Sequence, residues 1–183
     1  MLNALSYARS QHVVVLAAAS NSANRENLAF PACQHDYVLS INSTNGNGVR
    51  SDFNPLNQRY GENLSILGED VISTWLQKDY GNEEGVFKQG ESVWKRAGGT
   101  SQATTIAACV AVLILQFGRQ YSVGEKLEKF AGVRAVLRAM TGARETGDGF
   151  WDIVPWIRVF NMAPEGIDSI KSRILDSLRE ANV

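Results

Sequence analysis

Hydrophobic positions along this chain change their period several times, and each change predicts an element. Leu2, Leu5 and Ala8 recur at helical spacing, so residues 1–10 predict the end of a helix. Val13 to Ala18 is a short continuous apolar run, which predicts a strand buried on both faces. A second strand is expected over Tyr37 to Asn42, ended by the turn-rich Asn45-Gly46-Asn47-Gly48. Residues 63–68 and 71–74 predict a third extended stretch with a loop inside it. Residues 79–99 are rich in Gly and charge, with alternation around Val86-Phe87 and Val93-Trp94, and predict a surface hairpin.

The second part of the chain is helical in pattern. Ile106 to Phe117 is apolar on all sides and predicts a central helix covered by other elements. Leu127 and Phe130 mark one short helix; Val133, Val136, Leu137 and Met140 mark another, before a loop over 141–149. Phe150 to Trp156 forms an aromatic patch. The last helix is expected over about Pro164 to Ala181, with Pro164 near its start and Ile167, Ile170, Ile174, Leu175 and Leu178 on one face. Strands alternating with helices argue for an α/β layer with a mostly parallel sheet.

Composition narrows the class. The 183 residues are a single domain's worth of chain or the larger part of one. With 44% apolar and 20% charged residues the chain is globular rather than disordered. A net charge of −1 without a Lys/Arg run argues against a nucleic-acid surface. Cys33 and Cys109 are too far apart for a metal-ligand pair, and Cys109 is expected to be a buried small hydrophobe inside the apolar helix. The longest apolar run, Ile106 to Leu115, falls short of the roughly 20 residues of a membrane span, so no membrane partner is expected. The first residues have no signal-peptide pattern.

Candidate chemistry begins at Gly98-Gly99-Thr100-Ser101-Gln102-Ala103-Thr104, which leads into the apolar helix. A serine hydroxyl becomes a useful nucleophile when a base takes its proton, a group orients that base, and donors meet the oxyanion. Ser101 is placed for part of this, in a first helical turn whose free N–H groups and dipole favour negative charge. Gly98 and Gly99 permit a sharp turn and leave room for a substrate chain. The same residues also fit a plain helix cap at Thr100 or Ser101. Upstream, Asn21 follows the strand Val13 to Ala18, at the end of a sheet where open α/β folds bind ligands. Its amide is a donor suited to an oxyanion hole.

Four segments succeed one another: Ala17-Ala18-Ala19-Ser20-Asn21, Phe30-Pro31-Ala32, Leu67 to Thr74, and Gly99 to Thr104. This order resembles the subtilisin-like (S8) serine protease family, over roughly residues 3–117. There an Ala-Ala-Gly-Asn strand end, a Tyr/Phe-Pro-Ala turn, an Ala-Pro-Gly-x-x-Ile-x-Ser loop and a Gly-Thr-Ser-Met-Ala-x-Pro-His motif occur in that order. The resemblance implies a three-layer α/β fold with a mostly parallel sheet. Here it would be the C-terminal part of a catalytic domain over 1–117, followed by a helical extension over 118–183. It implies Ser101 as nucleophile, Asn21 and the Ser101 N–H as oxyanion donors, and Ala18, Ala19, Gly98 and Gly99 as substrate-lining residues. It implies a polypeptide substrate and no cofactor; calcium is common in the family, but no acidic cluster here assigns a site.

Departures from the family pattern are concentrated at the motif edges. Gln102, Thr105 and Ile106 stand for its Met, Pro and His, Cys109 for a packing Gly, and Ser20 for the Gly before the oxyanion Asn. Ile66-Leu67-Gly68 replaces Ala-Pro-Gly. In the family the acid and base precede the serine in the chain. The two histidines here, His12 and His35, do not resemble the motif histidine. The expectation is a partial domain, inactive alone, whose partner is the missing N-terminal half, and whose exposed strand edge lowers stability. An α/β-hydrolase elbow fails, because no histidine follows residue 35. Phosphate binding lacks its Gly-rich motifs. A non-catalytic pseudoprotease or interaction module, docking through Phe150 to Trp156 and the last helix, is the alternative.

Overall fold

The computed structural model describes residues 1–23, 28–57, 62–141, 149–160 and 166–183. The first part contains helix α1 (Leu2–Ser10) and strands β1 (Val15–Ala18), β2 (Val38–Thr44), β3 (Leu64–Leu67) and β4 (Val71–Thr74). Strands β5 (Val86–Gln89) and β6 (Ser92–Ala97) lead into the long helix α2 (Thr100–Gln120). Helices α3 (Gly124–Leu127) and α4 (Phe130–Met140), strand β7 (Trp151–Asp152), and helices α5 (Pro155–Arg158) and α6 (Gly166–Glu180) complete the chain.

The main sheet has the order β1-β2-β3-β7, and every neighbouring pair is parallel. Its register sets Val15 opposite Val38 and Ile41 opposite Leu64. Parallel strands need cover on both faces, and β2 is buried at every position. On one face Leu39, Ile41, Leu64 and Ile66 meet Ala103, Ala107, Val110, Ala111 and Ile114 of α2. Alanines at 103, 107 and 111 recur every fourth position, so the helix axis can approach the sheet closely. On the other face Leu5 of α1 packs with Val15, Ala17, Ala32 and Val38. This is the three-layer α/β fold the motifs implied.

Several details depart from the sequence expectation, each for a physical reason. β1 is half-buried rather than buried on both faces, apart from Ala17, because it is the edge strand. The stretch over 63–74 is two strands in two sheets. Gly68 bends the chain between them, and a Cβ there would overlap Ser43 Oγ, Ala103 Cβ and the Gly99 carbonyl. β4 then pairs with β6 beside β5 in a small antiparallel sheet, which contains the expected surface hairpin. The region after residue 118 is not helical throughout: β7 pairs with β3. Phe150 is fully buried, so the aromatic stretch is mostly core, with Trp156 left exposed.

Helix α2 is longer than the apolar run, and it is not covered on all sides. Val112 and Leu113 are 63% and 59% exposed, and Cys109 is exposed rather than buried. Among the described elements, α2 is covered chiefly by the sheet and by α3 and α4. By length and mean hydropathy (1.5) α2 would suffice to cross a membrane, although the run of ten did not suggest it. Its inner face is the core of the sheet packing described above.

Helices α4 and α6 are amphipathic as expected and extend the same core through Val133, Val136, Leu137, Met140, Ile170, Ile174 and Leu178. Leu175 is half-buried and Ile167 is exposed. α4 starts hard against α3, because a Cβ at Gly132 would run into the Lys126 carbonyl. Most of the expected loop (142–148) and Pro164 lie outside the described residues.

Candidate active site

The site forms where β1 ends and α2 begins. Neither Thr100 nor Ser101 caps α2; the N-cap is Gly99, which has no side chain to offer. The first-turn N–H groups still need acceptors. Asn21 supplies one from another element: its Oδ1 accepts the Thr100 N–H at 2.8 Å and the Thr100 hydroxyl at 3.0 Å. Thr100 is almost fully buried, so this clamp is shielded from water. With Oδ1 held, the amide Nδ2 is turned toward Gly99, 3.0 Å from where a Gly99 Cβ would stand. The Gln102 amide oxygen lies 2.9 Å from the same point. A side chain at residue 99 would therefore displace both amides, and its φ of 157° is one that L residues rarely adopt.

Ser101 follows in the first turn of α2 and is exposed. Its N–H precedes Ala103, whose N–H makes the first bond back to the Gly99 carbonyl. The structure thus brings Asn21, Gly99 and Ser101 together, across 79 positions of sequence between Asn21 and Thr100. Gly98 is exposed beside them, and Gly99 is held by its N–H bond to the Gly68 carbonyl. Ala18 is half-buried. Ala19 is fully buried, with its N–H bonded to Ile41 and its carbonyl to the Ala29 N–H, so it forms wall rather than open surface.

Ser20, directly before Asn21, has φ of 147°. Its hydroxyl contacts the Ser22 hydroxyl at 2.6 Å and accepts the Ser22 N–H at 3.2 Å. These bonds hold the turn that presents Asn21.

Sequence reasoning missed Thr100 as the residue that orients Asn21. Its available signal was a β-branched hydroxyl just ahead of the candidate nucleophile, which local rules assign to capping. The histidines are placed far from the site. His12 precedes β1 and His35 precedes β2, at the sheet end opposite Asn21. At about 3.3 Å per residue, a four-residue strand alone puts about 13 Å between the two ends. Ser101 has no histidine beside it.

Next to Gly98 opens a cleft of about 680 Å³. Among its described lining residues are the carboxylates of Asp52, Glu69, Asp70 and Glu84 and the cation of Arg96, which lies 3.8 Å from Asp70. Farther out on the small sheet, Glu83 is held below the ordinary carboxylate value by the hydrogen bond from Lys95 and by that from the Trp75 indole. Among the described residues no group of three His, Cys, Asp or Glu side chains could hold a metal ion.

A parallel sheet backed by α2, with Asn21 just beyond the end of β1 bonded to Thr100 at the start of that helix, defines an α/β protein of subtilisin-like architecture. The chain belongs to the subtilase family, peptidase S8, which it matches over residues 1–149. No curated protein matches it. Among solved structures it is similar to a mutant of the protease domain of PatA (TM-score 0.64, 20% identity), covering 95% of this chain and 52% of that one. It is also similar to the prenylagaramide maturation protease PagA (0.58, 21%), covering 80% of this chain and 47% of that one. The PatG macrocyclase in complex with peptide (0.61, 15%) shares 83% of this chain and 45% of its own. The chain thus spans about half the length of these structures.

Proposed function

We propose that this chain is the nucleophile-bearing part of a subtilisin-like serine endopeptidase domain. The observation that carries the reading is the Asn21 amide, clamped through Oδ1 by Thr100, the residue directly before Ser101, with its Nδ2 beside Gly99. In the complete domain Ser101 Oγ attacks the carbonyl carbon of a peptide bond, and a general base takes its proton. The carbonyl oxygen becomes an oxyanion, which accepts hydrogen bonds from Asn21 Nδ2 and the Ser101 N–H. Collapse expels the amine, which takes the proton back from the base, and water then releases the acyl group by the reverse sequence. Gly98 and Gly99 line the cleft for the polypeptide substrate, with Ala18 and Ala19 behind them. The chemistry calls for no cofactor. Residues 1–117 carry the chemistry, and residues 118–183 pack on them as a largely helical cover.

The base and its orienting acid come from the remaining half of the domain, so the chain alone has no appreciable peptidase activity. An oxyanion hole without a base leaves only a small residual rate. In subtilisin itself, loss of the oxyanion Asn lowers turnover by about 10² to 10³. The test is covalent labelling by a fluorophosphonate. The chain alone is expected to label at the rate of Ser101→Ala. Once supplied with the other half it labels, and Ser101→Ala then abolishes the signal. Rapid Ser101-dependent hydrolysis by the chain alone would contradict the partial-domain reading. Absence of labelling in a completed, folded domain would favour the non-catalytic interaction module.

A further inference from the structure

Gln102 directly follows the nucleophile, and the reaction described above leaves its side chain unused. The family pattern has Met at this position; this chain has an amide. Helical side chains lean toward the N-terminus of their helix, so Gln102, in the first turn of α2, reaches back over Gly99. Its Oε1 lies 2.9 Å, and Asn21 Nδ2 3.0 Å, from the point where a Gly99 Cβ would stand, so acceptor and donor are at most about 6 Å apart. Asn21 Oδ1 is held by Thr100, which fixes Nδ2 as a donor. Among the described residues neither Nδ2 nor the half-buried Gln102 amide has a hydrogen-bond partner. An open acceptor therefore stands beside an open donor, across the space that Gly99 leaves empty.

We infer that Gln102 Oε1 accepts the N–H of the scissile amide while Asn21 Nδ2 donates to its carbonyl oxygen, so that the site selects amides over esters. The inference rests on the serine-peptidase reading and adds a catalytic residue to it. In the tetrahedral intermediate the oxygen and nitrogen on the attacked carbon are about 2.3 Å apart, and the nitrogen is free to turn. Hydrogen bonds of about 2.9 Å reaching outward from the two atoms end about 5–6 Å apart, a separation that Asn21 and Gln102 allow. The nitrogen carries one hydrogen and one lone pair. It leaves when the lone pair takes the proton from the base and the C–N bond breaks. An acceptor on its own hydrogen fixes the direction of the lone pair, which is a gain made at the reacting centre rather than in ground-state binding. An ester oxygen carries no hydrogen and gains nothing from Gln102. A thioether is a weak acceptor, so the Met of the family pattern supplies little of this contact.

The experiment uses the completed, folded domain and two substrates with one acyl group, the 4-nitroanilide and the thiobenzyl ester of acetyl-tetraalanine. Fluorophosphonate labelling counts the active serines, and kcat/KM is read for each substrate, since it reports acylation in both. Gln102→Met is expected to lower kcat/KM for the anilide about tenfold relative to the ester, the worth of one hydrogen bond in the site. Both substrates meet the same folded fraction, so a loss of folding cancels in this ratio. Gln102→Glu keeps an oxygen acceptor but sets a carboxylate near the oxyanion. It is expected to slow both substrates and to leave the ratio close to that of the native residue. Equal loss on the two substrates in Gln102→Met would reduce Gln102 to a packing role and overturn the inference, as would an unchanged or higher ratio. So would a native domain that labels but leaves the anilide intact. These outcomes leave the serine reading standing. A native domain that fluorophosphonate does not label refutes that reading, and the role of Gln102 falls with it.

Discussion

Ser20 holds a backbone angle of 147°, a conformation in which L side chains crowd their own backbone. The subtilisin-like motif has glycine there. Strain of this kind costs about 1–3 kcal/mol, and the two contacts to Ser22 offset part of it. Ser20→Gly is therefore expected to raise stability by about 1 kcal/mol, after the entropy that glycine adds to the unfolded chain. A thermal melt measures it; an unchanged or lower Tm would show that the Ser22 contacts outweigh the strain. The neighbouring clamp gives a second prediction. Thr100→Val keeps the volume and the backbone bond to Asn21 but removes the hydroxyl bond. In a completed domain it should slow fluorophosphonate labelling up to about tenfold, the worth of one buried hydrogen bond, while Thr100→Ser should not. Asn21 and Ser101 could be singled out as candidates from their motifs, since each is a fixed residue type in a short pattern. The role of Thr100 could not, because its partner lies on a distant strand and local rules see only a cap.

Among the elements, the small antiparallel sheet carries a contact that depends on pH. Lys95 on β6 bonds Glu83 at 2.8 Å and lies 4.3 Å above the Trp75 ring, while the Trp75 indole donates to Glu83 at 2.7 Å. These contacts lower the Glu83 pKa from its ordinary 4.5, so the folded hairpin favours the ionised form. The sign follows: the contribution is complete above pH 4.5, the unfolded value, and is lost as pH falls through the lower folded value. Trp75 fluorescence should report loosening of this corner in acid before the main sheet melts. Glu83→Gln should abolish that acid step, and a step that persists would assign it elsewhere. Legibility differs among the elements. α4 and α6 were readable from period alone, because an amphipathic helix records its buried face in its own sequence. β1 is wholly apolar and half-buried, whereas β2 mixes Val, Leu and Ile with Ser, Asn and Thr and is buried throughout, because burial depends on neighbours that neither stretch encodes. β7 is two residues long and has no period to detect; only its pairing with β3 makes it a strand.

At the scale of the whole molecule, the core does not respect a division between a catalytic part and a helical cover. Ile114 of α2 sits in the same cluster as Leu127, Val133, Val136, Leu137, Met140 and Ile174, all essentially inaccessible to water. β7, from beyond residue 118, completes the sheet edge next to β3. Burying each such side chain is worth about 1.5–3 kcal/mol. Loss of the six after residue 118 removes on the order of 10 kcal/mol, comparable with the 5–15 kcal/mol of a typical domain's stability. Residues 118–183 would then be a cover without which the sheet does not stand. The expected result is one cooperative transition for the full chain by calorimetry and circular dichroism, and no cooperative melt for a 1–117 fragment. Two separate transitions in the full chain, or a folded 1–117 fragment, would mean that the cover is an independent unit and that the open flank of α2 is not the domain's main instability. A single transition would instead place the remaining weakness where the packing stops, at half-buried β1 and at the exposed Cys109, Val112 and Leu113 of α2, so that polar substitutions at Val112 or Leu113 leave Tm nearly unchanged while polar substitutions at Ile114 or Leu137 lower it steeply.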